Sequence, residues 1–174
     1  AIGVASAPAG SDGAFVKASL GPVLDRSPAD PFFVGKPCVL RLSDVWHLWY
    51  LSGNGWSAET PAPAAYDIRH AVSADGVSWA PDPGVAIAFE HPGEMAIARP
   101  AVTYDEGRFR MWYSYRGDGW PYRIGYAESE DGTGWTRCDD EVLGLEPSAE
   151  GWDSEMTAYP HVFKHDGQTY MLYC

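Results

Sequence analysis

The amino-acid sequence predicts an all-β fold built from repeated four-stranded antiparallel sheets, and three observations carry that prediction. The first is a series of short β-branched and aromatic runs between Arg99 and Trp135. Pro100 to Tyr104, Phe109 to Tyr115 and Tyr122 to Ser129 are separated by turn residues such as Asp105-Glu106-Gly107 and closed by Asp131-Gly132. The second is that the same text occurs earlier, as KPCVLRLSDVWHLWYLSGNGW and then YDIRHAVSADGVSW, with Pro37, Trp49-Tyr50, Asp75-Gly76 and Trp79 in matching places. The third is composition. Eight Trp, ten Tyr, nineteen Gly and fourteen Pro suit strands and tight turns, and no window shows the 3.6-residue period of an amphipathic helix.

The repeat can be followed in both directions. Downstream, YPHVFKHDGQTYMLYC carries Pro160, the turn Asp166-Gly167 and Tyr173; upstream, AIGVASAPAGSDGAF sets Ile2-Gly3 on Ile124-Gly125 and Asp12-Gly13 on Asp131-Gly132. A four-stranded sheet recurring every roughly 60 residues, with Trp and Gly at fixed places, is the signature of a β-propeller blade. The reading is one propeller domain over 1–174, divided into a half blade (1–34), two whole blades (35–97 and 98–158) and a half blade (159–174). That is about three blades where propellers usually have roughly four to eight. The expectation is therefore a partial chain of a longer propeller, or a homo-oligomer joined through unpaired blade edges.

Twenty-four acidic against twelve basic residues give a net charge of −12, which opposes nucleic acid and anionic membrane surfaces as partners. No apolar run approaches the roughly 18 to 20 residues of a membrane span, and no basic-then-apolar leader opens the chain, so a soluble protein is expected and its compartment stays open. Cys38, Cys138 and Cys174 form no CxxC pattern, and His47, His70, His91, His161 and His165 show no zinc spacing. Neither a metal nor another cofactor is expected.

Chemistry is expected in the loops that cross from one blade to the next, because in a propeller these deliver side chains to the central channel. RSPADPFFVGKP, FEHPGEMAIARP and SAEGWDSEMTAYP each carry a carboxylate ahead of the repeat's proline: Asp30, Glu94 and Glu155. Glu94-Met95 and Glu155-Met156 even share a dipeptide. Converging carboxylates suit glycoside cleavage, in which one serves as general acid and the other as base or nucleophile. The same acids can instead cap turns and bind loop amides, and the residues alone leave both readings open. Lys36, Arg99 and Tyr159 directly precede the three prolines, where a cation can hold a hydroxyl, carboxylate or phosphate. Trp56, Trp120 and Trp152 lie in glycine-flanked segments and suit stacking on sugar rings, whereas Trp79 and Trp135, after the Asp-Gly turns, suit packing between blades. An insertion from Glu59 to Ala65, absent from the second whole blade, is expected to form a loop at one face and a rim to a pocket.

An inner strand opening with proline, an Asp-Gly turn, an MWY or MLY strand and then IGYAxSxDGxxW together resemble the five-bladed propellers of the furanosidase-like glycosidases. These are the relatives of glycoside hydrolase families 32, 43, 68 and 130, which include arabinanases, xylosidases and invertases. SEMTAYPHVFKHDGQTYMLY is similar to the segment where those families hold the general-acid Glu, and the resemblance assigns that role to Glu155. Families 43 and 32 place an Asp directly before the proline. Here Lys36-Pro37 and Arg99-Pro100 stand there, with Arg99 matching the Arg of an RDP motif and Asp30-Pro31 lying upstream of the matching place.

The first reading is a glycoside hydrolase or glycoside phosphorylase acting on an oligosaccharide. In it Glu155 is the general acid, Asp30 or Glu94 the second carboxylate, Arg99, Lys36 and Tyr159 the substrate-binding groups beside the proline, and Trp56 and Trp120 stack on sugar rings. The alternative is a non-catalytic sugar-binding propeller that has lost the aspartates before proline. A third is a structural blade set used for protein contacts.

Overall fold

The computed structural model describes residues 1–10, 13–56, 64–142 and 144–174, without the side chain of Trp56. The insertion expected at 59–65 thus falls, up to Pro63, outside the described residues, as does Asp12. Among the described residues every regular element is a strand apart from one short turn of 3-10 helix at Asp139–Glu141, and no helix is long and apolar enough to cross a membrane.

Two short strands, β1 (Ala5–Ser6) and β2 (Val16–Lys17), pair antiparallel near the start. A four-stranded antiparallel sheet follows, made of β3 (Val34–Leu42), β4 (Val45–Trp56), β5 (Ala64–Ser73) and β6 (Ala80–Pro81). A second is made of β7 (Glu94–Asp105), β8 (Arg108–Gly117), β9 (Trp120–Ser129) and β10 (Thr136–Arg137). The hairpin of β11 (His161–His165) and β12 (Gln168–Leu172) comes last. One parallel bridge, Tyr66 to Ala96, ties β5 to β7 and makes the two four-stranded sheets continuous.

The sequence predicts inner strands that begin at the prolines. Instead β3 and β7 start upstream, at Val34 and Glu94, and run through Pro37 and Pro100. Proline is tolerated there because the ladder skips: pairing jumps from Gly35 to Cys38 and from Ala98 to Ala101, so neither proline is asked for an N–H. Glu94 therefore sits on a strand and not in a crossing loop, and Trp120 opens β9.

The central strands β4, β5, β7, β8 and β9 are largely covered on both faces, as their near-continuous apolar text requires, while β3, β11 and β12 stay mostly open. Along β4 the side chains alternate: Leu48 and Tyr50 pack with Ile2, Leu24, Val34 and Ala71, while Trp49 turns the other way onto Ile68, Ile97, Phe109 and Met111. Trp49 is fully buried and its Nε1–H donates to the Gly132 carbonyl of the neighbouring sheet at 2.9 Å. The Asp-Gly turns of the two whole units are built identically. Asp75 accepts the amides of Val77 and Ser78 at 2.8 and 2.7 Å, and Asp131 those of Thr133 and Gly134 at 2.8 and 2.9 Å. Ser73 and Ser129 brace the same turns through the Gly76 and Gly132 amides.

Candidate functional site

The repeat's proline marks a recurrent backbone feature. Lys36, Arg99 and Tyr159 have φ of 53, 55 and 59°, the left-handed region that non-glycine residues rarely enter. Holding such residues there costs on the order of 1–3 kcal/mol each and persists only where the surroundings enforce it. The bulges of β3 and β7 and the entry to β11 do so, and the three residues with their prolines and His161 line one cavity of about 340 Å³. Three of the predicted substrate-binding side chains, at the same place in successive repeats, thus face one cavity.

Arg99 lays its guanidinium over the Tyr159 ring, 5.1 Å from the centroid. Tyr159 is fixed from behind, because its amide donates to Ser114 Oγ at 2.7 Å and its ring meets Tyr122 at 5.4 Å. The Tyr122 hydroxyl is in turn hydrogen-bonded to that of Tyr66, and Arg116 lies over both rings, 5.5 and 5.6 Å from their centroids, while donating to the Ala64 carbonyl at 3.1 Å. Burial and the bond to Tyr122 push the Tyr66 hydroxyl up to about 12, and burial raises Tyr159 as well. Both are therefore neutral phenols at neutral pH, able to donate or accept a hydrogen bond. Sequence reading missed Tyr66, Arg116 and Tyr122 as site residues, since they lie on three strands and only the fold makes them neighbours.

The three predicted carboxylates have separate surroundings. Asp30 is 1% exposed, and its Oδ2 accepts the Tyr50 hydroxyl at 3.2 Å and the Ser27 hydroxyl at 3.3 Å, while Oδ1 has no partner among the described residues. Glu94 is fully buried in its side chain and binds Arg137 through two bonds of 2.9 and 3.0 Å, accepting also the amides of Glu90 and His91. The far side of Arg137 reaches Asp139 Oδ2 at 2.7 Å, and Asp139 further accepts Tyr113 and the Tyr126 amide. Burial alone would raise Asp139, but the bonds from Tyr113 and His91 and the charge of Arg137 hold it below the usual carboxylate range. Glu155 is exposed; its carbonyl accepts Arg123 at 3.3 Å, and its carboxylate makes no hydrogen bond or ion pair among the described residues. None of the three lines the cavity between the prolines.

Trp120 packs on its own hairpin, edge-on to Tyr115 at 5.6 Å and so close over Gly117 that a Cβ there would lie 2.2 Å from the indole. Trp56 pairs with Ala64 through its backbone, and its side chain is outside the described residues. Among the described residues no group of three or more His, Cys, Asp or Glu could hold a metal ion. What the cavity offers is two cationic heads, the Tyr159 ring with its hydroxyl and the His161 imidazole, a set suited to holding a polar ligand with several oxygen atoms.

Two curated proteins of Mycobacterium tuberculosis, from strains CDC 1551 / Oshkosh and ATCC 25618 / H37Rv and each named as uncharacterized, are 39% identical to this chain over 172 residues. The match takes in 99% of this chain and 56% of theirs, so the chain spans about half the length of the curated relatives it matches. No family model matches. Among solved structures, one described as a glycoside hydrolase superposes with a TM-score of 0.72 at 22% identity, covering 92% of this chain and 48% of that one. A thermostable family-43 glycoside hydrolase gives 0.69 at 19% identity, over 91% of this chain and 52% of that one. A family 117 glycoside hydrolase from the marine bacterium Zobellia galactanivorans gives 0.65 at 21%, over 85% and 50%. The fold is that of the propeller glycosidases, as the sequence resemblance implies.

Proposed function

We propose that the chain is part of a carbohydrate-active propeller that binds an oligosaccharide at the cavity between Pro37, Pro100 and Pro160 and cleaves it by carboxylate acid/base chemistry, as a glycoside hydrolase or phosphorylase. One observation carries the reading: Lys36, Arg99 and Tyr159, each strained at the same place in its repeat, face one cavity backed by Tyr122. Glu155 is the general acid in this reading, since its carboxylate alone of the three predicted acids is exposed and unengaged among the described residues. Asp30, with an unpartnered Oδ1, is the better second carboxylate than Glu94, which Arg137 already holds. The test is turnover of aryl glycosides and of arabino-, xylo-, fructo- and manno-oligosaccharides. Glu155→Gln should lower it about 10²- to 10⁴-fold with sugar affinity changed only a few-fold; unchanged turnover removes Glu155 from the role.

A second reading, the sugar-binding propeller without catalysis, is favoured by the absence of any carboxylate from the cavity lining among the described residues. It predicts binding of oligosaccharides with no turnover by the wild-type protein, and an effect of Glu155→Gln on affinity alone.

A further inference from the structure

In a chain with twice as many acids as bases, six of the twelve Lys and Arg side chains find a carboxylate. Arg41, Arg69, Arg108, Arg110, Arg137 and Lys164 all lie within ion-pair distance of Asp or Glu. Among the described residues Lys17, Arg26, Lys36, Arg99, Arg116 and Arg123 do not; Lys17 and Arg26 lie elsewhere on the chain, and the other four gather around the cavity and its aromatic backing. Arg99 covers Tyr159, Arg116 covers Tyr66 and Tyr122, and Arg123 donates to the Tyr122 and Glu155 carbonyls. Two of the four, Lys36 and Arg99, are held at left-handed φ with their heads exposed, an arrangement that a merely solvated surface would not require.

We infer that this cavity recognises an oxyanion carried by the sugar, with Lys36 and Arg99 as its binding residues and Tyr159 as the surface on which the ring rests. The inference rests on the carbohydrate reading above and names its substrate class as acidic glycans. Arg99 can offer two parallel N–H bonds to a carboxylate or phosphate, and Lys36 adds a point charge. The oxyanion could be the carboxylate of a uronic acid or a phosphate, and the experiment separates the two sources.

The experiment is calorimetric titration of the purified protein with a glucuronate-terminated disaccharide, its neutral glucose counterpart and inorganic phosphate, at two salt concentrations. The expected result is that the acidic disaccharide binds at least about tenfold more tightly than the neutral one, as a charge-assisted bond requires, with the preference shrinking in high salt. Lys36→Asn and Arg99→Asn should each remove most of that preference. Asparagine tolerates left-handed φ, so the bulge is kept, and circular dichroism verifies the fold. Binding of phosphate without any preference for the acidic sugar identifies phosphate as the source. Equal binding of the two disaccharides with no phosphate binding overturns the inference and leaves the carbohydrate reading standing. Phosphate binding with neither disaccharide bound keeps the oxyanion site and overturns the carbohydrate reading, and binding of none overturns both. A preference that survives both substitutions overturns the assignment to Lys36 and Arg99.

Discussion

Replacing Arg137 with Met should be strongly destabilising. The guanidinium is 3% exposed and lies between two carboxylates, Glu94 with no exposed side-chain surface and Asp139 at 9%. It also donates to the Ala88 carbonyl at 2.8 Å and packs over Tyr113 and Tyr115. Methionine fills much of the same volume but leaves two buried negative charges facing each other. Breaking one side of a buried ion pair costs about 3–5 kcal/mol, which for a chain of this size lowers the thermal midpoint by roughly 6–20 °C. The exposed Arg41–Asp44 pair is the control: Arg41→Met should leave the midpoint within about 2 °C. The assay is a calorimetric melt of each variant at neutral and mildly acid pH. Acid should narrow the gap between Arg137→Met and wild type, because protonation removes the charge from the carboxylates left unpaired. A loss below about 3 °C, or one that does not change with pH, would refute the view that Arg137 holds this region by neutralising Glu94 and Asp139.

Two further outcomes follow from local geometry. His47 stacks near Trp49 at 5.7 Å and shares a 3.1 Å contact with His70, which is bound to Asp82 at 2.7 Å; burial first, and His70 second, hold His47 below its ordinary value of 6.5. A histidine lowered in the folded state contributes stability that is full above the unfolded value and is lost as pH falls through the window below it, so the wild-type midpoint should drop between about pH 7.5 and 5.5 more than that of His47→Phe. Gly125→Ala would set a Cβ 2.5 Å from the Tyr113 ring and 2.6 Å from Asp139 Oδ1, and should cost about 1–3 kcal/mol in denaturant titration. Gly3→Ala, at the equivalent repeat position but with nothing within 4 Å, should change stability by less than about 0.5 kcal/mol.

What could be read from the sequence was what is encoded over a few residues. The Asp-Gly turns were legible because Ser73, Asp75, Ser129 and Asp131 bond to amides two or three residues away. The meeting of Lys36, Arg99 and Tyr159 was legible because each stands before the repeat's proline. That β3 and β7 continue through those prolines was not, since proline usually ends a ladder and only the bulge shows otherwise. Arg137 escaped notice for a different reason. Its repeat position is filled by Lys17 beside Ala5 and by Pro81 beside Ala71, so no shared residue type marks it, and its partner Glu94 is set opposite by tertiary packing. Glu94 itself read as one of a pair with Glu155 because they share a dipeptide, yet one is a buried ion-pair partner and the other is exposed.

The bond from Trp49 to the Gly132 carbonyl bears on how such a chain can lengthen. The donor sits on the second strand of one unit and the acceptor in the turn after the third strand of the next. Both whole units carry the sequence of both parts, Trp112 and Asp131-Gly132 standing in the second where Trp49 and Asp75-Gly76 stand in the first. A duplicated unit spliced into the series would meet a ready-made neighbour in both directions, and tandem copying could extend the array without inventing a new interface. The joint also limits later divergence: the Trp of one copy and the turn of the next are inherited by different stretches of gene but must change together.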